Sequence, residues 1–159
     1  MRFFVSSQSM KTLTRQSLVA AAMAVAVSGV ALADNDCTLQ TLRGSYVFAA
    51  NGYNIVAGVT QPKTIVEVID FNGDGTLSVP AATRSVNGVI ARTPPGGTGS
   101  YTADAGCKGT IAFAGGPSFD IFISPKGERL WMIQTNSDTV FQGTATRVSE
   151  LSGILGPAK

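Results

Sequence analysis

No histidine occurs anywhere in the 159 residues. That absence removes the side chain most often used as a general base near neutrality, and with it the Ser-His-Asp and Cys-His arrangements of nucleophilic catalysis. Zinc also loses its usual nitrogen ligands, and the two cysteines present are too few for an all-sulfur site. Charge is scarce, with 14% Asp, Glu, Lys and Arg, and no basic patch of the kind a phosphate backbone requires is evident. No G-x-S-x-G, P-loop or Rossmann glycine pattern is found. The inventory calls for no cofactor, no metal and no nucleic acid partner, and it favours a non-catalytic protein.

The chain begins with a strongly polarised segment. Arg2, Lys11 and Arg15 precede an uncharged run from Ser17 to Ala33, which closes on Ala31-Leu32-Ala33 before Asp34. A basic region, an apolar stretch and a small-residue cleavage site together read as a signal peptide over residues 1–33. The alternative is an uncleaved anchor, but the run falls short of the roughly 20 residues a spanning helix needs. The expectation is therefore an exported bacterial protein, periplasmic or extracellular, with no membrane span after cleavage. Removal of residues 1–33 leaves nine Lys and Arg against ten Asp and Glu, so the net charge moves from +2 to −1. Residues 34–150 are expected to form one domain and residues 151–159 a flexible tail.

Cys37 and Cys107 are the only cysteines. In an exported chain an even count reads as a disulfide, the alternative being two free thiols.

Turn signals recur every ten to twenty residues: Asn51-Gly52, Asn72-Gly73-Asp74-Gly75, Asn87-Gly88, Pro94-Pro95-Gly96-Gly97, Gly115-Gly116-Pro117, Pro125-Lys126-Gly127 and Asn136-Ser137-Asp138. The segments between them are rich in β-branched and aromatic residues and alternate with period two, the pattern of short antiparallel strands. Eight strands are expected, over residues 44–50, 64–71, 76–87, 99–104, 109–114, 118–124, 128–135 and 138–147. A short helical turn is expected at Thr38–Leu42, capped by Asp36. Eight strands with short connections hide their edges best in an all-β up-and-down barrel, with a β-sandwich as the alternative. The longest stretch without strand character is Gly88–Thr98.

Four features could carry chemistry. Asp70, Asn72 and Asp74 sit at the alternate positions of a calcium loop, but Ala81 stands where a bidentate glutamate should be, and a hairpin turn explains the same residues. Glu67 and Asp120 alternate with apolar neighbours, so each points either into a lumen, where it would orient a ligand, or out into water. Trp131 lies on a strand with apolar residues of both parities, which suggests cover on both faces. Gly44-Ser45-Tyr46 and Gly99-Ser100-Tyr101 repeat one tripeptide, each opening a strand near a cysteine. Tyr46, Phe48, Glu67, Asp120 and Trp131 are the candidate ligand contacts.

A set of short motifs resembles a group of small exported bacterial proteins, many of unknown function. They are Cys37, Leu42-Arg43-Gly44-Ser45-Tyr46-Val47-Phe48, Phe71-Asn72-Gly73-Asp74-Gly75-Thr76, Gly99-Ser100-Tyr101, Cys107-Lys108-Gly109-Thr110 and Gly143-Thr144-Ala145-Thr146-Arg147. The resemblance implies a disulfide-tied β-barrel and no assigned reaction. More distantly, the first-strand Gly-x-aromatic and the last-strand arginine look like the calycin barrels, which include the lipocalins. That likeness implies a cation–π pair between Tyr46 and Arg147, with tyrosine in place of the usual tryptophan. Barrels of the allene oxide cyclase type are a further architectural cousin, without a residue-level match.

The functional reading is a small exported barrel that binds a small apolar ligand in its lumen, provided the lumen is open. The alternative is a structural or interaction module of the periplasm or cell surface. An isomerase-type barrel enzyme is a third, lesser reading.

Overall fold

Alternating apolar runs bounded by glycine turns give nine antiparallel strands in the computed structural model, which describes residues 36–148. The expected signal peptide and C-terminal tail lie outside the described residues. The strands are β1 (Gly44–Val56), β2 (Val59–Phe71), β3 (Thr76–Val86), β4 (Val89–Thr93), β5 (Gly97–Tyr101), β6 (Lys108–Phe113), β7 (Ser118–Ile123), β8 (Arg129–Gln134) and β9 (Thr139–Arg147). Eight of them close a ring in the order β1-β2-β3-β5-β6-β7-β8-β9 and back to β1. Closure leaves no open edge in the ring. The ninth, β4, pairs only with the second half of β3 and lies outside the ring. It occupies part of Gly88–Thr98, the stretch expected to be irregular.

One turn departs from expectation. Asn51-Gly52 does not reverse the chain; both residues continue β1, and the reversal comes at Ala57-Gly58, with φ of 49° and 79°. Two consecutive positive φ values are what a tight hairpin between right-twisted strands demands. Gly52 answers instead to a close approach of β9: a Cβ there would lie 1.9 Å from the Val140 carbonyl oxygen. The Asn87-Gly88 turn does form the β3–β4 hairpin, with φ of 50° and 83°.

A bulge in β3 decides which of its side chains face inward. Val68 pairs with Ala81 and Asp70 with Ser78, so Ile69 alone faces both Val79 and Pro80. Proline has no N–H to give the ladder and is tolerated at such a site. Before the bulge Leu77 and Val79 are buried; after it the parity changes, and Ala82 is buried instead.

The two ends of the barrel differ. At one end the N-terminal segment forms a 3-10 turn over Leu39–Leu42 and pushes Leu42 into the core, where it is fully buried. Thr38 caps this turn, not Asp36: the Thr38 N–H donates to Thr41 Oγ1 at 2.9 Å. The Cys37–Cys107 disulfide, with Cα atoms 4.9 Å apart, ties the segment to the β5–β6 connection. Arg147 on β9 donates to the Thr41 carbonyl at 2.6 Å and to the Tyr46 hydroxyl at 3.0 and 2.8 Å through Nε and Nη2. Tyr46 in turn donates to the Gly127 carbonyl. The guanidinium carbon lies 5.3 Å from the Tyr46 ring centroid, within cation–π range. Tyr101, from the second Gly-Ser-Tyr, donates to the Leu39 carbonyl at 2.9 Å. Both tyrosines pack edge-on against Phe71, at 5.1 and 5.0 Å between ring centroids. This end is sealed and hydrogen-bonded.

Trp131 is not covered on both faces. It and Ile133 point outward, 49% and 52% exposed, while Leu130 and Met132 carry the inner face of β8. Among the described residues no helix is long and apolar enough to cross a membrane.

The disulfide closes a loop with a sequence separation of 70. Replacing both cysteines by serine is expected to lower the unfolding free energy by about 4 kcal/mol, as the chain-entropy relation gives for a loop of that length. Urea unfolding of the two proteins measures the difference.

Candidate functional site

At the end opposite the 3-10 turn the barrel is open. A cavity of about 420 Å³ enters there, within the range of small-ligand sites. Small residues create it: Ala82 on β3 and Gly97 on β5 line the wall where larger side chains would meet. Its floor and apolar sides are Phe48, Ile65, Val79, Phe113, Phe119 and Phe141. The aromatic rings brace one another edge-on, Phe48 against Phe119 at 5.9 Å and Phe113 against Phe119 at 6.0 Å. Such interlocking rings make a preformed surface, since moving one disturbs the next.

Strand β2 supplies a graded row of side chains into this cup. Counting up from the buried Ile69, every second residue faces inward: Glu67, Ile65, Lys63. Glu67 is deepest and only 9% exposed, opposite Phe48 on β1 and Ala82 on β3. Among the described residues no hydrogen bond or ion pair holds its carboxyl. Burial raises its pKa from the ordinary 4.5 to about 7, because a desolvated carboxylate is costly.

Lys63 lies nearer the mouth and crosses part of it. Its register partner on β1 is Gly52, which has no side chain, and beyond Gly52 lies Phe141 on β9. The ammonium reaches past Gly52 to sit 4.0 Å from the Phe141 ring centroid and donates to Gln134 Oε1 on β8 at 2.9 Å. Burial, and then the charge of Arg84, lower the Lys63 pKa. Arg84, on β3 beyond the bulge, lines the mouth and is exposed.

Of the candidate contacts read from the sequence, Phe48 and Glu67 line this cup. Tyr46 does not; it is buried at the sealed end among Arg147, Gly127 and Phe71. Asp120 is on the outer face, beside a surface depression shared with Asp104 and Lys108. Trp131 borders another outer depression with Glu128 and Arg129. In the Asp70–Asp74 segment the Asp74 carboxylate accepts from the Thr76 N–H and hydroxyl at 2.9 and 2.7 Å, which serves the turn. Those bonds hold its pKa below the usual value. Asp70 Oδ1 is buried with no hydrogen-bond partner. Lys63, Arg84, Phe119 and Phe141 escaped the sequence reading. Phe119 could have been found from its alternation with Ile121 and Ile123; the two cations gave no such signal.

No protein-family model matches the chain, and comparison with curated proteins finds none similar to it. Among solved structures, a de novo designed fluorescence-activating β-barrel is similar over 69% of this chain and 96% of its own, at 13% identity and a TM-score of 0.43.

The buried Glu67 makes stability depend on pH in a set direction. In the unfolded chain its carboxyl ionises near 4.5, in the folded protein near 7. Between these values the folded state holds a proton that the unfolded chain has lost, so stability falls as pH rises through the window and is level above it. Thermal unfolding of Glu67→Gln beside the wild type isolates this contribution: the variant is expected to gain up to about 3 kcal/mol over the wild type between pH 4.5 and 8.

Proposed function

We propose that this is an exported barrel that binds a small, largely apolar ligand in the cup at its open end. The observation that carries this reading is the cavity of about 420 Å³ lined by interlocked phenylalanines and by Ile65 and Val79. An aromatic-floored concavity with few convergent polar groups is the usual form of a small-molecule site. The disulfide supports export, since such bonds persist in oxidising compartments. The sealed end, filled by Leu42, Tyr46, Phe71 and Tyr101, acts as foundation and leaves binding to the other half of the lumen.

The uncharged fluorophore N-phenylnaphthylamine tests this on the purified chain. Its emission is expected to rise on binding, and Ala82→Trp, which fills the cup, is expected to weaken binding at least tenfold, an effect of about 1.4 kcal/mol or more. Trp131→Ala on the outer face is expected to bind as the wild type does. Undiminished binding by a folded Ala82→Trp protein would overturn the proposal.

A further inference from the structure

The polar groups of the cup are ordered by depth, and that order constrains what fits. Lys63 and Arg84 stand at the mouth, and Glu67 stands at the inner end. Lys63 and Glu67 stand four positions apart along β2, roughly 13 Å of strand. Between them the walls are apolar: Ile65 on the same strand, with Val79 and Phe119 across from it.

Each pole has unspent bonding capacity. Lys63 uses one of its ammonium hydrogens on Gln134 and has three to give. Arg84 makes no side-chain hydrogen bond or ion pair among the described residues, and neither does Glu67. For an exposed arginine that is ordinary. For a side chain only 9% exposed it means that the carboxyl, which lines the cup, takes its solvation and its polar partners from whatever fills the cup. Among the described residues Lys63 and Arg84 are the only other ionisable groups lining the cup, and neither forms an ion pair with Glu67. A wall built solely to grip a hydrocarbon would have an aliphatic residue at position 67, as it has at 65 and 69.

Building on the cup as a ligand site, we infer that it takes an amphiphile polar at both ends. An anionic group sits at the mouth against Lys63 and Arg84, an apolar body lies on the phenylalanines, and an uncharged hydroxyl or carbonyl at the inner end bonds to Glu67. A carboxyl that keeps its proton up to about pH 7 both donates and accepts, so it serves either inner group. An inner carboxylate would instead meet a desolvated acid and gain no cation.

Displacement of N-phenylnaphthylamine by decanoic acid, by its ω-hydroxy derivative and by decane-α,ω-diol tests the inference at pH 6. For the wild type the ω-hydroxy acid is expected to bind about tenfold more tightly than decanoic acid, the upper range of one hydrogen bond's net worth. Glu67→Leu is expected to abolish or reverse that preference, whereas Glu67→Gln, which still donates and accepts, retains it. Lys63→Met with Arg84→Met is expected to weaken both acids about tenfold or more and leave the diol within twofold. If the fluorophore binds in the cup but Glu67→Leu keeps the wild-type preference, the two-ended ligand is wrong and the cup survives. If no probe binds in the cup, the parent reading falls first.

Discussion

Closing an antiparallel sheet on itself fixes how much interior there is to fill, and the chain fills that interior unevenly. Eight strands enclose a lumen that side chains can just occupy. At the sealed end large residues do so, with Leu42, Tyr46, Phe71 and Tyr101 in contact around Arg147. At the open end alanine and glycine replace them on β3 and β5. The cup is therefore a consequence of ring closure combined with a change in side-chain volume along the axis. No loop insertion or separate domain is needed.

The sealed end depends on polar groups as much as on apolar ones. A 3-10 turn leaves backbone carbonyls without intrahelical partners, and here they are half-buried at the base of a barrel. Arg147 takes the Thr41 carbonyl and Tyr101 the Leu39 carbonyl, while Tyr46 takes the Gly127 carbonyl of the β7–β8 connection. The disulfide then holds the turn in place from the N-terminal side. This division of labour leaves the opposite end free to carry groups that stabilise nothing internally, of which Glu67 is the extreme case.

Much of the architecture was legible because turn chemistry and period-two alternation are local signals. The hairpins at Asn87-Gly88 and Gly115-Gly116 and the shared face of Phe119, Ile121 and Ile123 follow from neighbours in sequence, and the pairing of Cys37 with Cys107 follows from their being the only two cysteines; which face turns inward does not. The site was legible only in part. Phe48 and Glu67 share a face with buried neighbours and were found; Asp120 and Trp131 satisfied the same local test and face outward. What misled was non-local. Gly52 reads as a turn, yet it bends β1 beneath β9, and no pattern in β1 shows that approach. Lys63 resembles any edge lysine until Phe141 and Gln134, from two other strands, are seen beside its ammonium.

The bulge at Val79-Pro80 acts like a reading frame for the rest of β3. Every residue downstream is assigned to lumen or surface by that one extra position, so strand length rather than composition selects the residues of this wall. With the insertion, Ala82, Arg84 and Val86 line the cup. Without it, Ala81, Thr83 and Ser85 would take their place, and the mouth would exchange a cation and a valine for two hydroxyls with no change in the amino acids encoded there. An insertion or deletion of one residue at this point thus rearranges more of the lumen wall than any one substitution does.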